Sequence, residues 1–127
     1  MKNRIEQGIQ IAVVDVLAWR KAAGVVFFHP PNEAKRASFK SQKTGKTVCI
    51  EGAILKRMGA RSGVSDLCFS IPPNGRFAAL ELKAPGEKPT PNQREFIEAV
   101  AASGGLSDWA DSVEKAVAIL KTWGVLK

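Results

Sequence analysis

Residues 66–84, DLCFSIPPNGRFAALELKA, decide the fold. Two apolar runs, DLCFSI and RFAALELKA, flank Pro72-Pro73-Asn74-Gly75. Asn-Gly tolerates the positive φ that a tight turn demands, so the stretch is expected to be an antiparallel hairpin. Side chains alternate across a strand, which sends Glu81 and Lys83 to one face and Leu80 and Leu82 to the other. The ordinary reading of such a pair is a strand-face ion pair. Burying one gains little net stability, however, because desolvating both ions roughly cancels their attraction. Hairpin pairing adds a second anomaly, since Asp66 opens the first strand and comes beside Glu81 near the end of the second. Two carboxylates repel unless a divalent cation sits between them, and oxygen ligation favours Mg²⁺ or Mn²⁺ over zinc. A lysine beside that metal completes a site able to attack a phosphate.

Outward from the hairpin, the chain alternates helices and strands. Ile5, Ile9, Ala12, Val16 and Trp19 recur at helical spacing and predict a helix over about 4–22, with these residues as its core stripe. GVVFFH predicts a short strand stopped by Pro30 and Pro31. A loop follows and closes with a helical piece at EGAILKRMG. After the hairpin, APGEKPTP breaks the chain. A helix then starts with Thr90 as N-cap, Pro91 at the first helical position and Gln93 at the capping-box position, and stops at Gly104-Gly105. A strand at LSDWA and a helix over about 112–123 complete an α/β fold of order α-β-β-β-α-β-α.

At 127 residues, 45% of them hydrophobic, the chain is expected to be one domain over 1–127 with a core of its own. Cys49 and Cys68 make no disulfide framework, and Cys68 falls within an apolar strand as a small buried thiol. IAVVDVLAW follows a basic start as a leader would, but Glu6 and Asp15 interrupt it and no apolar run approaches the ~20 residues of a membrane span. A cytosolic protein is expected. The formal net charge is +7, and residues 35–61 carry all of it: Lys35, Arg36, Lys40, Lys43, Lys46, Lys56, Arg57 and Arg61 against Glu51. Such a block is either a solvated loop or a surface for a phosphate backbone, where counterion release rewards clustered Lys and Arg.

Three motifs fail on inspection. TGKT lacks the glycine a P-loop needs five residues before Gly45, where Lys40 stands, and no strand precedes it. His29, the sole histidine, has no cysteine cluster to build zinc with and reads as structural beside Pro-Pro. Trp19 lies on the expected core stripe of the first helix, so core is preferred to base stacking for it, and Trp109 and Trp123 define no site.

Asp66 followed after fifteen residues by Glu81-Leu82-Lys83 resembles the core of the PD-(D/E)XK nuclease superfamily, and residues 5–120 resemble its VRR-NUC (virus-type replication-repair nuclease) family. The matching pieces are Glu6 in RIEQGIQ, the run FFHPPN, the G-x-x-x-G-x-x-D-L pattern at 59–67, the Glu-x-Lys strand and the glutamine of TPNQREF. Two departures stand out: Ser65 replaces the proline usual before the aspartate, and the basic segment at 37–51 is longer than a minimal connection. The resemblance implies a restriction-endonuclease-like mixed sheet flanked by helices. It implies that Asp66, Glu81 and the Leu82 carbonyl hold Mg²⁺ or Mn²⁺, with Glu6 acting through water and Gln10 on the same side of its helix. Lys83 would orient the attacking water or stabilise the transition state, and Gln93 either caps its helix or aligns Lys83 or a scissile phosphate. The stand-alone phage and bacterial members imply a DNA endonuclease acting on branched substrates, four-way (Holliday) junctions or flaps. A catalytically silent DNA-binding subunit and a plain basic scaffold are the alternatives. Ile11, Val14 and Ala18 form a second apolar row on the first helix, so a twofold homodimer through it is expected, unless the third strand and the last helix bury both rows.

Overall fold

The computed structural model describes residues 3–31, 38–40 and 47–127. Along the chain run α1 (Arg4–Arg20), β1 (Val26–Phe28), β2 (Ser38–Lys40), β3 (Thr47–Cys49), α2 (Ile50–Arg57), β4 (Leu67–Ile71), β5 (Arg76–Leu82), α3 (Pro91–Ala102), β6 (Leu106–Ala110) and α4 (Val113–Thr122). Four strands form one sheet in the order β1-β4-β5-β6. β1 and β5 run antiparallel to β4, while β6 runs parallel to β5 because α3 carries the chain across. The mixed α/β sheet with helices on both faces is the expected class.

The hairpin forms as read. Ile71 pairs with Arg76 across the four turn residues, Gly75 sits at φ +70°, and the Pro72–Pro73 peptide is cis. Leu67 pairs with Leu80, so the next step outward sets Asp66 opposite Glu81. Leu67, Phe69, Ile71, Ala78, Leu80, Leu82 and Ala110 face α1 and α4 and bury Val13, Leu17, Ala116, Leu120, Val125 and Leu126 against them. Phe27 joins this side, its ring 6.3 Å from that of Phe69, which meets Trp123 edge-on. The other sheet face receives α3 over β5 and β6.

Two expectations change. Within the segment read as a loop, β2 and β3 pair antiparallel with Phe39 opposite Val48; each strand has three residues, too few for alternation to show against Lys, Ser and Gly. The second change is the rotation of α1. Its buried residues are Glu6, Val13 and Leu17, whereas Ile5 and Trp19 of the expected stripe are 60% and 87% exposed. Trp19 is therefore no core residue. Residues 6, 13 and 17 lie within one narrow sector at 100° per residue, and a row that includes a glutamate is not one that hydrophobic spacing selects. Of the second row, Ile11 and Ala18 are exposed, but Val14 is partly buried against the core. No helix among the described residues is long and apolar enough to cross a membrane.

Candidate active site

Five side chains of the kind that usually stays in water are less than 10% exposed, and they meet where β5 ends. Glu6, Asp66, Glu81 and Lys83 are the charged ones, and Ser65 is the neutral one. Each arrives by a local rule. Asn3 caps α1 by accepting from the Glu6 amide at 2.8 Å, and Glu6 Oε2 accepts from the Asn3 amide at 3.4 Å, a capping box that fixes the first turn. The other carboxylate oxygen of Glu6 crosses to the sheet, accepting from the Ala84 amide at 3.3 Å and pairing with Lys83 Nζ at 3.5 Å. Asp66 Oδ2 accepts from the Leu82 amide at 2.8 Å, which ties the aspartate to the strand that carries Glu81 and Lys83. Asp66 is reached through the 59–65 loop, and Gly63 at φ +78° lets that loop lie on the start of α3. A Cβ there would clash with the Asn92 main-chain carbonyl.

Gln93 closes a capping box and also touches Lys83. Its Oε1 accepts from the Thr90 amide at 2.9 Å, closing the α3 capping box, and from Lys83 Nζ at 3.3 Å. Lys83 is thus held between an acid from α1 and an amide from α3, on opposite sides of the sheet's end. Cys68, one position into β4 from Leu67, reports the local field: its thiol is raised to about 11 by burial, with the Asp66 and Glu81 carboxylates adding to the rise. It stays a thiol at neutral pH, in keeping with the buried free cysteine expected.

The donor set suits a hard cation. Among the described residues no three His, Cys, Asp or Glu side chains are placed to hold one metal together. Mg²⁺ needs no such cage, since it keeps several waters and binds through one or two carboxylates plus phosphate oxygens. Asp66, Glu81 and the Leu82 carbonyl fit that requirement. Glu6, engaged by Lys83 and Ala84, fits a contact through water. Three buried carboxylates against one amine leave the cluster short of positive charge, the condition under which a divalent cation fits.

The basic block is less fully placed. Lys56 and Arg57 end α2 on its exposed surface, and the Arg61 guanidinium lies 5.4 Å over the Phe96 ring, one turn beyond Gln93 on α3. Lys35, Arg36, Lys43 and Lys46 lie outside the described residues, as does the side chain of Lys40, whose backbone belongs to β2. Gln10 is partly buried one turn beyond Glu6. His29, read as structural, has a partner the sequence does not reveal: its Nδ1 lies 2.6 Å from the main-chain oxygen of Asp66. Its signal was the proline pair after it, which strips the strand end of N–H donors and leaves that task to a side chain.

A model of the VRR-NUC domain matches residues 6–114. A solved structure described as a VRR_NUC domain protein superposes with a TM-score of 0.71 at 23% sequence identity, covering 97% of this chain and 90% of that one. No curated protein matches the chain. The span of that match takes in Glu6, Asp66, Glu81, Lys83 and Gln93, and the chain belongs to the VRR-NUC family of nuclease-type, DNA-processing domains.

Proposed function

We propose that this chain is a Mg²⁺- or Mn²⁺-dependent endodeoxyribonuclease that hydrolyses phosphodiesters in branched DNA, such as four-way junctions or flaps, in the cytosol. One observation carries the reading: Asp66 and Glu81 stand opposite each other, both buried, at a strand end that also presents Lys83. Stability does not account for that grouping, because each buried ion costs several kcal/mol that its partners recover only in part. A divalent cation held by Asp66, Glu81 and the Leu82 carbonyl supplies an acidified water and neutralises charge on the phosphate. Lys83 is aimed by Glu6 Oε1 and Gln93 Oε1, so its amine is fixed before substrate arrives and can stabilise charge that grows in the transition state. Lys56, Arg57 and Arg61, with the rest of the basic block, supply sequence-independent phosphate contacts.

The working unit in this reading is a homodimer. Ile11, 62% exposed, and exposed Ala18 give α1 an apolar outer side, and a twofold axis supplies two sites for paired cuts across a symmetric junction. Incubating the protein with labelled single-stranded, duplex, flap and junction DNA, in Mg²⁺ or EDTA, tests the activity. Cleavage should need the metal and be greatest on branched forms; equal cutting in EDTA, or none on any DNA, overturns it. Light scattering of wild type and Ile11→Glu tests the dimer, which the variant should split.

A further inference from the structure

Among the described residues, His29 touches the main chain of Asp66, and the nuclease reading gives that contact no task. β1 pairs with β4 as far as Phe28 opposite Cys68, and continuing that register brings Pro30 opposite Asp66. Pro30 and Pro31 have no N–H, so the main chain of β1 cannot extend the ladder to the strand entry where Asp66 sits. The neighbouring side is no firmer: Ser65 is fully buried, and its hydroxyl makes no hydrogen bond among the described residues. Into this gap the imidazole of His29 reaches from the end of β1, with Nδ1 at 2.6 Å from the Asp66 carbonyl oxygen.

A carbonyl oxygen can only accept, so the hydrogen belongs to Nδ1 and the neutral ring leaves Nε2 as the bare nitrogen. Asp66 is then held at its carboxylate by the Leu82 amide and at its backbone by His29. We propose that His29 is a positioning residue: by holding the Asp66 main chain where proline cannot, it sets the angle at which the aspartate meets a divalent cation. The proposal rests on the metal-dependent nuclease reading. It predicts which ring atom matters, because an asparagine side chain places an amide N–H where Nδ1 stands, whereas glutamine places one where Nε2 stands.

Three measurements test it. The chain has a single histidine, so its imidazole ¹⁵N signals are unambiguous; at a pH where the ring is neutral they should show a protonated Nδ1 and a bare Nε2, and the reverse pattern overturns the proposal. Calorimetric titration with Mn²⁺ in the absence of DNA is the second. His29→Ala and His29→Gln should bind Mn²⁺ roughly 10–100-fold more weakly, the usual effect of losing a group that orients a metal ligand, while His29→Asn stays near wild type. In cleavage assays the Ala variant should need more Mn²⁺ yet regain most of its kcat at saturation. Unchanged Mn²⁺ affinity in His29→Ala sinks the role of His29 alone, whereas a wild type that takes up no Mn²⁺ sinks the nuclease reading with it. Should thermal melting show that the Ala variant does not fold, the Asn and Gln variants decide: Gln near wild type with Asn impaired contradicts the proposal.

Discussion

The β4–β5 hairpin and α1 each bring a buried acid to the same strand end, yet only the hairpin could be read from its residues. In the hairpin, period-two alternation and a turn dipeptide fix the register, so the facing of Asp66 and Glu81 follows once the turn is recognised. A helix has no such anchor. The apolar residues of α1 are spread around its circumference, and the row it buries has a glutamate at one end. Where spacing does not single out a face, tertiary packing selects it: Val13 and Leu17 are fully buried, Glu6 on the same row meets Lys83 and the Ala84 amide, and Trp19 is left in solvent.

The difference can be broken at several points. The largest expected effect is on cleavage. Lys83→Ala should lower the rate on the order of 10³-fold, since the proposal aims that amine at transition-state charge, against roughly 10–100-fold for Glu6→Ala, which the proposal has act through its neighbours. A Glu6→Ala defect as deep as that of Lys83→Ala, measured on the same junction, would make α1 a direct part of the chemistry. The next contrast is stability within α1. Leu17→Ala should cost about 2–5 kcal/mol in urea unfolding, whereas Trp19→Ala, at 87% exposure, should stay within about 0.5 kcal/mol of wild type. Equal costs would return Trp19 to the core.

Metal should favour the folded state of the same cluster. With Mn²⁺ at about a hundred times its Kd, binding is worth about 2.7 kcal/mol and should raise the melting temperature by roughly 10 °C, the rise vanishing in Glu81→Ala. The smallest effect concerns the surface. Replacing Lys56, Arg57 and Arg61 with Gln should weaken binding to every DNA form and flatten the salt dependence, by about 0.9 in log–log slope for each phosphate no longer neutralised. Arg61, stacked over Phe96 on the helix that bears Gln93, should also affect cleavage. An unchanged slope would make these residues a solvated face only.

What the sequence revealed depended on how local the signal was. Thr90, Pro91 and Gln93 spell out the start of α3 within four positions, and the helix begins there. Whether Gln93 caps or serves the site could not be decided locally, and one oxygen accepting from both Thr90 and Lys83 shows why. His29 reads as structural from its place beside Pro-Pro, and its contact with a main-chain oxygen agrees; which oxygen was beyond reach, since no spacing rule links an imidazole to a carbonyl 37 residues away. The β2–β3 pair was hidden by the polar composition around it. Glu6 was reached through family resemblance, not periodicity, for the energetic reason that places it: a buried acid is the opposite of what periodicity searches for.

The central claim is that Asp66 and Glu81 act as one unit on a divalent cation, and a double-mutant cycle of cleavage rates tests it most directly. Groups that work together fail together, so Asp66→Ala, Glu81→Ala and the double variant should fall to the same residual rate in saturating Mg²⁺. A single variant that still cuts near the wild-type rate, or two defects that multiply in the double variant, would contradict it.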